Sequence, residues 1–260
     1  MMAFLSPSRE LHTSPADWQL KRLLLTAPTP KTRREPWYPI KKLLVKLGPI
    51  CGDGLIEDLD SAVSYLSVGH WMRIHNFRLA KPARSREDLF DLVATRFADE
   101  RVLYLEFGVA FGESMRYWAR LLRNGASHLH GFDSFEGLPS DWNRSLVKGA
   151  FSTGGSIPDI PDGRVKFFKG LFEEMLPLYS FPEYKVLVIN IDCDLYASAA
   201  FVLTYLKKRI QRGTYISFDE FCDRANELRA FHDFIGATGK HFQLVGASET
   251  FRHVMFQCVE

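Results

Sequence analysis

The sequence predicts an α/β protein in which a mostly parallel sheet carries helices on both faces. From residue 101 to the end of the chain, short apolar runs alternate with amphipathic segments. The run at 185–191 (KVLVINI) is apolar on both faces, which is typical of a central parallel strand. Apolar residues make up 46% and charged residues 25% of the chain, as in ordinary globular proteins. Alternation of this kind favours a sheet covered by helices on each side.

Seven strands and four helices are predicted in this part of the chain. The strands are predicted at residues 101–107, 127–133, 164–168, 185–191, 214–218, 241–245 and 252–259. The helices are predicted at residues 114–124, 171–178, 197–210 and 225–238. The last two strands are joined by a short turn, so we expect them to be antiparallel to each other. Residues 134–163 are rich in Gly, Pro, Ser and Asp, which predicts a long loop that acts as a lid.

Residues 1–99 are predicted to form a helical and irregular extension that packs on the domain formed by residues 100–260. Ile40, Leu43, Leu44 and Leu47 follow the spacing of one helix face. Lysines occupy the other side of this helix. It could lie on a membrane surface, on its own core or on a second subunit, and the last case predicts a homo-oligomer formed through the extension.

Composition argues against several classes of protein. The net charge is +2, which gives no support for a nucleic-acid partner bound by bulk charge. No apolar run approaches the roughly 20 residues of a membrane span, and the first residues lack the features of a secretory signal. The four cysteines are far apart and form no C-x-x-C pair. We therefore expect a reduced, cytoplasmic protein.

The first strand leads into a glycine turn and a helix start, EFGVAFGES at 106–114. Gly108 and Gly112 permit a tight turn and a close approach of a ligand to the backbone. Ser114 and the backbone N–H groups of the helix N-terminus favour a carboxylate. Glu106, just inside the turn, can bind a cationic amine. Together these groups suit the zwitterionic end of an amino acid, although the same glycine spacing also occurs in plain turns.

The second strand ends in Asp133, 21 residues after Gly112. An acidic residue at about this distance is placed to bind ribose hydroxyls. The G-x-x-x-G spacing differs from the dinucleotide fingerprint, which argues against a pyrophosphate. An amino acid joined to a ribose is S-adenosylmethionine. The alternative role of Asp133 is a turn cap before Ser134.

Two neighbouring strands end in pairs of acidic residues. The fourth strand delivers Asp192 and Asp194, and the fifth delivers Asp219 and Glu220. Adjacent strands lie about 4.8 Å apart, so the four carboxylates are expected to converge. The cations that lie nearby in the sequence, Arg224 and Lys185, are too few to neutralise them. A hard divalent cation such as Mg²⁺ is therefore predicted, and the alternative is that some of these residues are helix N-caps.

Seven stretches resemble the macrocin O-methyltransferase family, which methylates hydroxyls on sugars of natural products. They are YLEFGVAFGES (104–114), GFDSFEGLP (131–139), KGAFS (148–152), FKGLFEEMLP (168–177), NIDCDLYASA (190–199), ISFDEF (216–221) and ELRAF (227–231). GFDSFEGLP together with IDCDLY is the specific combination. The resemblance spans about residues 100–235 and implies a Rossmann-like class I methyltransferase fold. Its sheet would have seven strands, mostly parallel, with an antiparallel strand near the C-terminus.

The resemblance also implies roles for individual residues. The residues that would bind S-adenosylmethionine are Glu106, Gly108, Gly112 and Ser114 at the methionine end, Asp133 at the ribose, Ser134 and Phe135 near the adenine, and Gly170. The residues that would bind Mg²⁺ are Asp192, Asp219 and Glu220. Asp194 would be the catalytic base, with Asp192 beside it in the catalytic site. Family members often carry two aspartates where this chain has Asp219 and Glu220, which leaves the binding mode of Glu220 open.

The function expected from the sequence is a Mg²⁺-dependent O-methyltransferase. Its acceptor would be a small-molecule hydroxyl, on a sugar of a glycosylated natural product. An enzyme that acts on a phenol or catechol would share the same metal site. A cofactor-binding but inactive assembly subunit is the alternative from another class, although such a subunit has no need of four carboxylates.

Overall fold

The computed structural model describes residues 36–260 and contains the predicted sheet. Its strands are β1 (Val102–Phe107), β2 (His128–Asp133), β3 (Val165–Lys169), β4 (Val186–Ile191), β5 (Tyr215–Phe218), β6 (Phe242–Ala247) and β7 (Val254–Cys258). Their order across the sheet is β3-β2-β1-β4-β5-β7-β6. The first five are mutually parallel, and β7 is antiparallel to both β5 and β6. The predicted fold class is confirmed.

The described residues divide into two units, residues 36–55 and residues 56–260. The described helices are α1 (Tyr38–Leu47), α2 (Asp53–Ile74), α3 (Arg86–Ala94), α4 (Glu113–Leu121), α5 (Phe172–Met175), α6 (Tyr196–Leu206) and α7 (Glu227–Thr238). Short 3₁₀ helices follow α1 at Gly48–Ile50 and α5 at Leu176–Leu178. The predicted helix around Ile40 corresponds to α1, which buries none of its side chains. Of the predicted extension, residues 1–35 lie outside the described residues, and its boundary with the domain at residue 100 stays a prediction.

Helices cover both faces of the sheet in residues 56–260. On one face, β1 and β4 pack against the last turns of α2 and against α6 and α7, with Trp71, Val202 and Phe231 in the core. On the other face, α3 and α4 pack on the same strands through Phe90 and Trp118. Every residue of β1 is buried, as expected of a parallel strand in a sheet that is covered on both faces.

Helix α4 ends at Leu121, three residues before the predicted end. The guanidinium of Arg164 donates hydrogen bonds to the carbonyls of Ala119 at 2.6 Å and Leu122 at 2.5 Å. The N–H of Arg123 bonds to the carbonyl of Ala98 instead of continuing the helix. Tertiary contacts with two other parts of the chain therefore end the helix before the Asn124-Gly125 signal.

The order of the strands reverses direction at β1, which lies between β2 and β4. At such a switch point the loops after neighbouring strands part and leave a crevice beyond their carboxyl ends. Residues 134–164 form no helix or strand, as predicted for the long loop. None of the helices in residues 36–260 combines the length and hydrophobicity that a membrane span requires.

Candidate active site

A cavity of about 770 Å³ opens at the switch point, beyond the carboxyl ends of β1, β2, β4 and β5. Eight of the predicted site residues line it: Gly108, Asp133, Ser134, Gly170, Asp192, Asp194, Asp219 and Glu220. The long loop supplies an apolar wall made of Leu138, Trp142, Leu146 and Phe151. The volume of the cavity is typical of sites for small molecules and cofactors.

Gly108 allows β1 and β4 to approach each other at the floor of this cavity. Its φ angle is +90°, and a Cβ atom built on it would lie 1.7 Å from the carbonyl oxygen of Asp192. Its N–H donates to the carbonyl of Phe132 at 3.0 Å. The predicted need for glycine is therefore met, and the group that approaches closely in this structure is the backbone after β4.

Asp133 organises the loop that follows β1. Its Oδ2 accepts hydrogen bonds from the N–H groups of Val109 at 2.7 Å and Ala110 at 2.8 Å. Its Oδ1 accepts from the N–H of Phe135 at 2.7 Å, which is the turn cap considered as the alternative role. A carboxylate offers about four acceptor positions, and these three hydrogen bonds leave one of them open on a residue that lines the cavity.

Four predicted cofactor residues do not line the cavity: Glu106, Gly112, Ser114 and Phe135. Gly112 has a φ angle of +75° and precedes α4, where a Cβ would press on Pro158. Ser114 is buried in the first turn of that helix. Phe135 is buried with an edge-to-face contact to Phe167. These three residues shape the loops around the cavity.

Glu106 is buried beneath the glycine turn. Its Oε2 accepts a hydrogen bond from the hydroxyl of Tyr104 at 2.9 Å. Burial raises the pKa of Glu106 to about 8, against the lowering effect of the Tyr104 hydroxyl and Arg86. In the sheet it is in register with Asn190 of β4, which is in turn in register with Ser217 of β5. All three are buried polar residues, so a polar row crosses the sheet just below the cavity.

The four predicted carboxylates do converge, but cations that the sequence did not indicate accompany them. Arg86, the first residue of α3, donates from Nη1 to Asp219 Oδ1 at 3.1 Å and to Asp192 Oδ2 at 3.5 Å. His253 Nδ1 lies 3.0 Å from the same Asp219 oxygen. Glu220 forms an ion pair with Arg252.

The two cations expected from the sequence lie elsewhere. Lys185 pairs with Glu100 at 2.7 Å, and Arg224 pairs with Asp60 at 2.6 Å. The premise that the carboxylates lack cations was therefore wrong. No local pattern could have identified Arg86, because it is 106 residues from Asp192 in sequence. The signal that the sequence does contain is the N-cap of the helix that carries Arg86. In the structure, Ser85 Oγ accepts a hydrogen bond from the N–H of Asp88 at 3.1 Å.

Burial and ion pairing act in opposite directions on the pKa values of this cluster. Burial raises the pKa of Asp192 well above its usual range, and the nearby charge of Asp219 adds to the effect. Burial would also raise the pKa of Asp219, but His253 and Arg86 outweigh it and hold that pKa below its usual value. Asp219 is therefore the ionised partner of Arg86.

Asp194 differs from the other carboxylates of the cavity. Among the residues that the structure describes, its carboxylate has no hydrogen-bond or ion-pair partner. Burial, followed by the charges of Glu220 and Asp219, raises the pKa of Asp194 to about 7. Its backbone adopts a positive φ angle of 60°, a conformation that aspartate tolerates better than most residues. The arrangement leaves a carboxylate that exchanges a proton near neutral pH at the cavity surface.

Glu227, at the start of α7, is a buried member of the cluster that the sequence analysis did not assign. It is completely buried, and its Oε2 accepts from the N–H of Glu220 at 3.0 Å. Burial raises the pKa of Glu227 well above its usual range, and the hydrogen bond from the N–H of Glu220 acts in the opposite direction. Glu227 is the first residue of the ELRAF stretch, and this stretch is the signal in the sequence that could have identified it.

The residues as arranged do not fit the predicted Mg²⁺. Within residues 36–260, no group of three His, Cys, Asp or Glu side chains is disposed to hold a metal ion. Arg86 contacts both Asp192 and Asp219 where such an ion would bridge them, and Arg252 pairs with Glu220. A carboxylate whose charge is already balanced by a guanidinium attracts a second cation less strongly.

Comparison with known proteins supports a methyltransferase. Residues 105–221 match the model of a family described as a methyltransferase domain. No curated protein matches the sequence. The crystal structure of CalS11, named a calicheamicin methyltransferase, is similar with a TM-score of 0.52 and 18% identity, over 98% of this chain and 99% of that one. The structural likeness confirms the predicted fold. The match to the methyltransferase domain confirms the prediction of a methyltransferase enzyme.

Two further solved structures are similar at lower TM-scores. The O-methyltransferase NovP is 19% identical with a TM-score of 0.48, over 67% of this chain and 78% of that one. An O-methyltransferase from Bacillus cereus in complex with SAH is 12% identical with a TM-score of 0.44, over 76% of this chain and 91% of that one.

Proposed function

We propose that this protein is an S-adenosylmethionine-dependent O-methyltransferase of the macrocin type that methylates a hydroxyl group of a small molecule. The observation that carries the proposal is the Asp194 carboxylate. It is unpaired among the described residues, has a pKa of about 7 and faces a cavity bounded by the glycine turn after β1. A group with a pKa near the working pH is well suited to act as a general base.

The cofactor would occupy the side of the cavity formed by β1 and β2. When bound, S-adenosylmethionine supplies a methyl group attached to a positively charged sulfur. Asp133 would offer its remaining acceptor position to a ribose hydroxyl, and Ser134 would lie near the adenine. Gly108 and Gly170 present bare backbone to this space. Glu106 would favour the amine of the methionine end from beneath the turn, because an ammonium group stabilises the ionised carboxylate.

Asp194 would take the proton of the acceptor hydroxyl. As the oxygen forms its bond to the methyl carbon, the bond from that carbon to sulfur breaks and the electron pair stays on sulfur. The proton of the hydroxyl moves to Asp194. The ion pairs of Arg86 with Asp219 and of Arg252 with Glu220 hold the other carboxylates away from this role. No step of this mechanism uses a metal ion.

The acceptor proposed is a sugar hydroxyl of a glycosylated natural product. The GFDSFEGLP and IDCDLY stretches support it, and CalS11, the similar structure, is named a calicheamicin methyltransferase. The apolar wall of Leu138, Trp142, Leu146 and Phe151 also suits a phenol or catechol. Both acceptor classes therefore belong in the experiment.

The proposed function is tested by transfer of labelled methyl groups from S-adenosylmethionine to a panel of sugar, macrolide and phenol acceptors. We expect at least one sugar-containing acceptor to be labelled, and Asp194→Asn to abolish most of the labelling. Labelling of phenols alone would show that the acceptor is a phenol and not a sugar. Binding of cofactor with no transfer to any class would favour the inactive assembly subunit.

We further propose a homo-oligomer formed through the N-terminal part, in the cytoplasm. In α2, Ile56, Leu59, Val63 and Leu66 are exposed and spaced by three, four and three residues. This spacing produces one apolar stripe that suits a second helix. All four cysteines are free, which is typical of a reducing compartment. Light scattering after gel filtration should give a mass above that of one chain, and Leu59→Glu should reduce it. An unchanged mass in that variant would count against this surface.

A further inference from the structure

Arg86 reaches the acidic strand ends from an element outside the strands that carry them. It is the first residue of α3, and its side chain is 21% exposed. Its Nη1 atom contacts Asp219 of the loop after β5 and Asp192 of the loop after β4. Its Nη2 atom lies 3.7 Å from Glu113 at the start of α4. One guanidinium thus bridges the ends of two neighbouring strands.

This position places a cation against the ionised Asp219 and beside Asp192. A buried ionised carboxylate loses hydration and repels a second carboxyl group beside it, which is costly unless a cation pairs with it. Arg86 supplies a permanent positive charge, because a guanidinium is not deprotonated in proteins. His253 adds a second contact to Asp219. The electrostatic task for which a divalent ion was expected is already performed by the protein.

We propose that Arg86 is the built-in cation of this site, occupying the place of a divalent metal between Asp192 and Asp219, so that methyl transfer proceeds without a metal ion. Only the second part of this inference, methyl transfer without a metal ion, rests on the proposed function. Arg86 would act as a positioning residue that keeps the two strand ends together.

The chain offers matched variants for a direct test. Arg86→Met removes the charge and keeps a long side chain, whereas Arg86→Lys keeps the charge. Arg84→Met is the control, because Arg84 lies two residues away, is 89% exposed and pairs with Asp88 at the surface. Circular dichroism and a melting curve establish that each variant is folded.

Binding of Mn²⁺ alone, followed by electron paramagnetic resonance, needs neither cofactor nor acceptor. We expect wild type, Arg86→Lys and Arg84→Met to bind no stoichiometric Mn²⁺. Arg86→Met should gain one bound Mn²⁺ per chain, because it removes the guanidinium that contacts both Asp192 and Asp219. If Arg86→Met is unfolded, the titration of wild type tests the inference, and stoichiometric Mn²⁺ binding there would contradict it.

Several results would overturn the inference. Stoichiometric Mn²⁺ binding by wild type that disappears in Asp219→Asn would show that the metal site exists despite Arg86. Absence of binding in a folded Arg86→Met variant would show that Arg86 does not occupy a metal position. Labelled methyl transfer should persist in excess EDTA, and loss that Mg²⁺ restores would overturn the metal-free mechanism.

The proposed function is tested by a different measurement from the role of Arg86. If S-adenosylhomocysteine does not bind the folded wild-type protein, the methyltransferase proposal is wrong, whatever the Mn²⁺ titrations show. If it binds and wild type also binds Mn²⁺, the function stands and the role of Arg86 falls.

Discussion

At the scale of single residues, environment assigns different roles to chemically similar carboxylates. Asp219 is held ionised by His253 and Arg86, whereas Asp194 faces the cavity with a pKa near 7. Glu106 lies below the cavity, buried against Tyr104, with a pKa of about 8. The division between structural ion pairs and a proton acceptor follows from partners and burial, since all these side chains carry the same functional group.

The proposed role of Asp194 as base predicts the pH dependence of catalysis. The rate constant kcat should rise with pH through about 7, because the carboxylate accepts a proton only when ionised. Asp194→Asn should lower kcat by roughly 10²–10⁴ and remove this rise. Steady-state kinetics between pH 5.5 and 9 with the best acceptor of the panel, at about unit intervals, provide the measurement.

Asp223→Asn is the control for this experiment. The charge of Asp223 contributes to the raised pKa of Asp194, and Asp223 does not line the cavity. Removing that charge should move the midpoint of the profile to lower pH and leave the plateau unchanged. A kcat of Asp194→Asn close to that of wild type would exclude Asp194 as the base.

Burial of Glu106 predicts a pH-dependent stability. Its pKa is about 8 in the folded protein and 4.5 in its ordinary environment. Between these values the folded state retains a proton that the unfolded chain releases. The contribution of Glu106 to the free energy of unfolding is therefore fully present below pH 4.5 and is lost as pH rises towards 8. This group should contribute a slope of up to about 1.4 kcal/mol per pH unit.

Glu106→Gln should remove that contribution, because an amide does not ionise and its oxygen still accepts from Tyr104. Urea unfolding at a series of pH values measures the difference between the two proteins. Glu183→Gln, at a carboxylate whose side chain is 85% exposed, should follow wild type. Parallel curves for wild type and Glu106→Gln would refute the buried, neutral state of Glu106.

At the scale of elements, the turn after β1 depends on a glycine that the backbone after β4 requires. Gly108→Ala would place a Cβ 1.7 Å from the carbonyl oxygen of Asp192, at a φ angle of +90°. We expect it to lower the free energy of unfolding by about 3 kcal/mol or more, since both strain and collision contribute. Chemical denaturation provides the measurement.

Gly236→Ala, inside α7, is the matched control. Nothing lies within 4 Å of a Cβ built there. Alanine is favoured over glycine inside a helix, so this variant should gain about 0.5–1 kcal/mol. Equal stability of Gly108→Ala and wild type would contradict the close packing at the switch point.

The elements themselves were largely predictable, since periodicity and turn residues are local signals. The strand 185–191 begins one residue later than predicted, and the long loop without helix or strand is present. The end of α4 was not predictable, because Arg164 and Ala98 determine it through distant contacts. Local pattern locates an element, and tertiary hydrogen bonds set its ends.

At the scale of the whole molecule, parallel topology explains why the acidic strand ends could be predicted to meet. Strand ends at 192 and 219 must share one edge if β4 and β5 are parallel neighbours, and the sequence predicted both strands. The charges that balance them could not be predicted. Arg86 comes from α3, and Arg252 comes from the segment just before β7, so their positions depend on the completed fold.

The central claim is that the cavity at the switch point binds S-adenosylmethionine, and titration calorimetry with S-adenosylhomocysteine tests it most directly. We predict one site per chain with micromolar or tighter affinity. Asp133→Ala should weaken binding at least about tenfold, or 1.4 kcal/mol, because it removes both the proposed ribose contact and the hydrogen bonds to Val109 and Ala110. Asp99→Ala, at an exposed ion pair with Arg123, should bind as wild type does. Absence of binding heat with folded wild-type protein, or equal affinity in Asp133→Ala, would contradict the account.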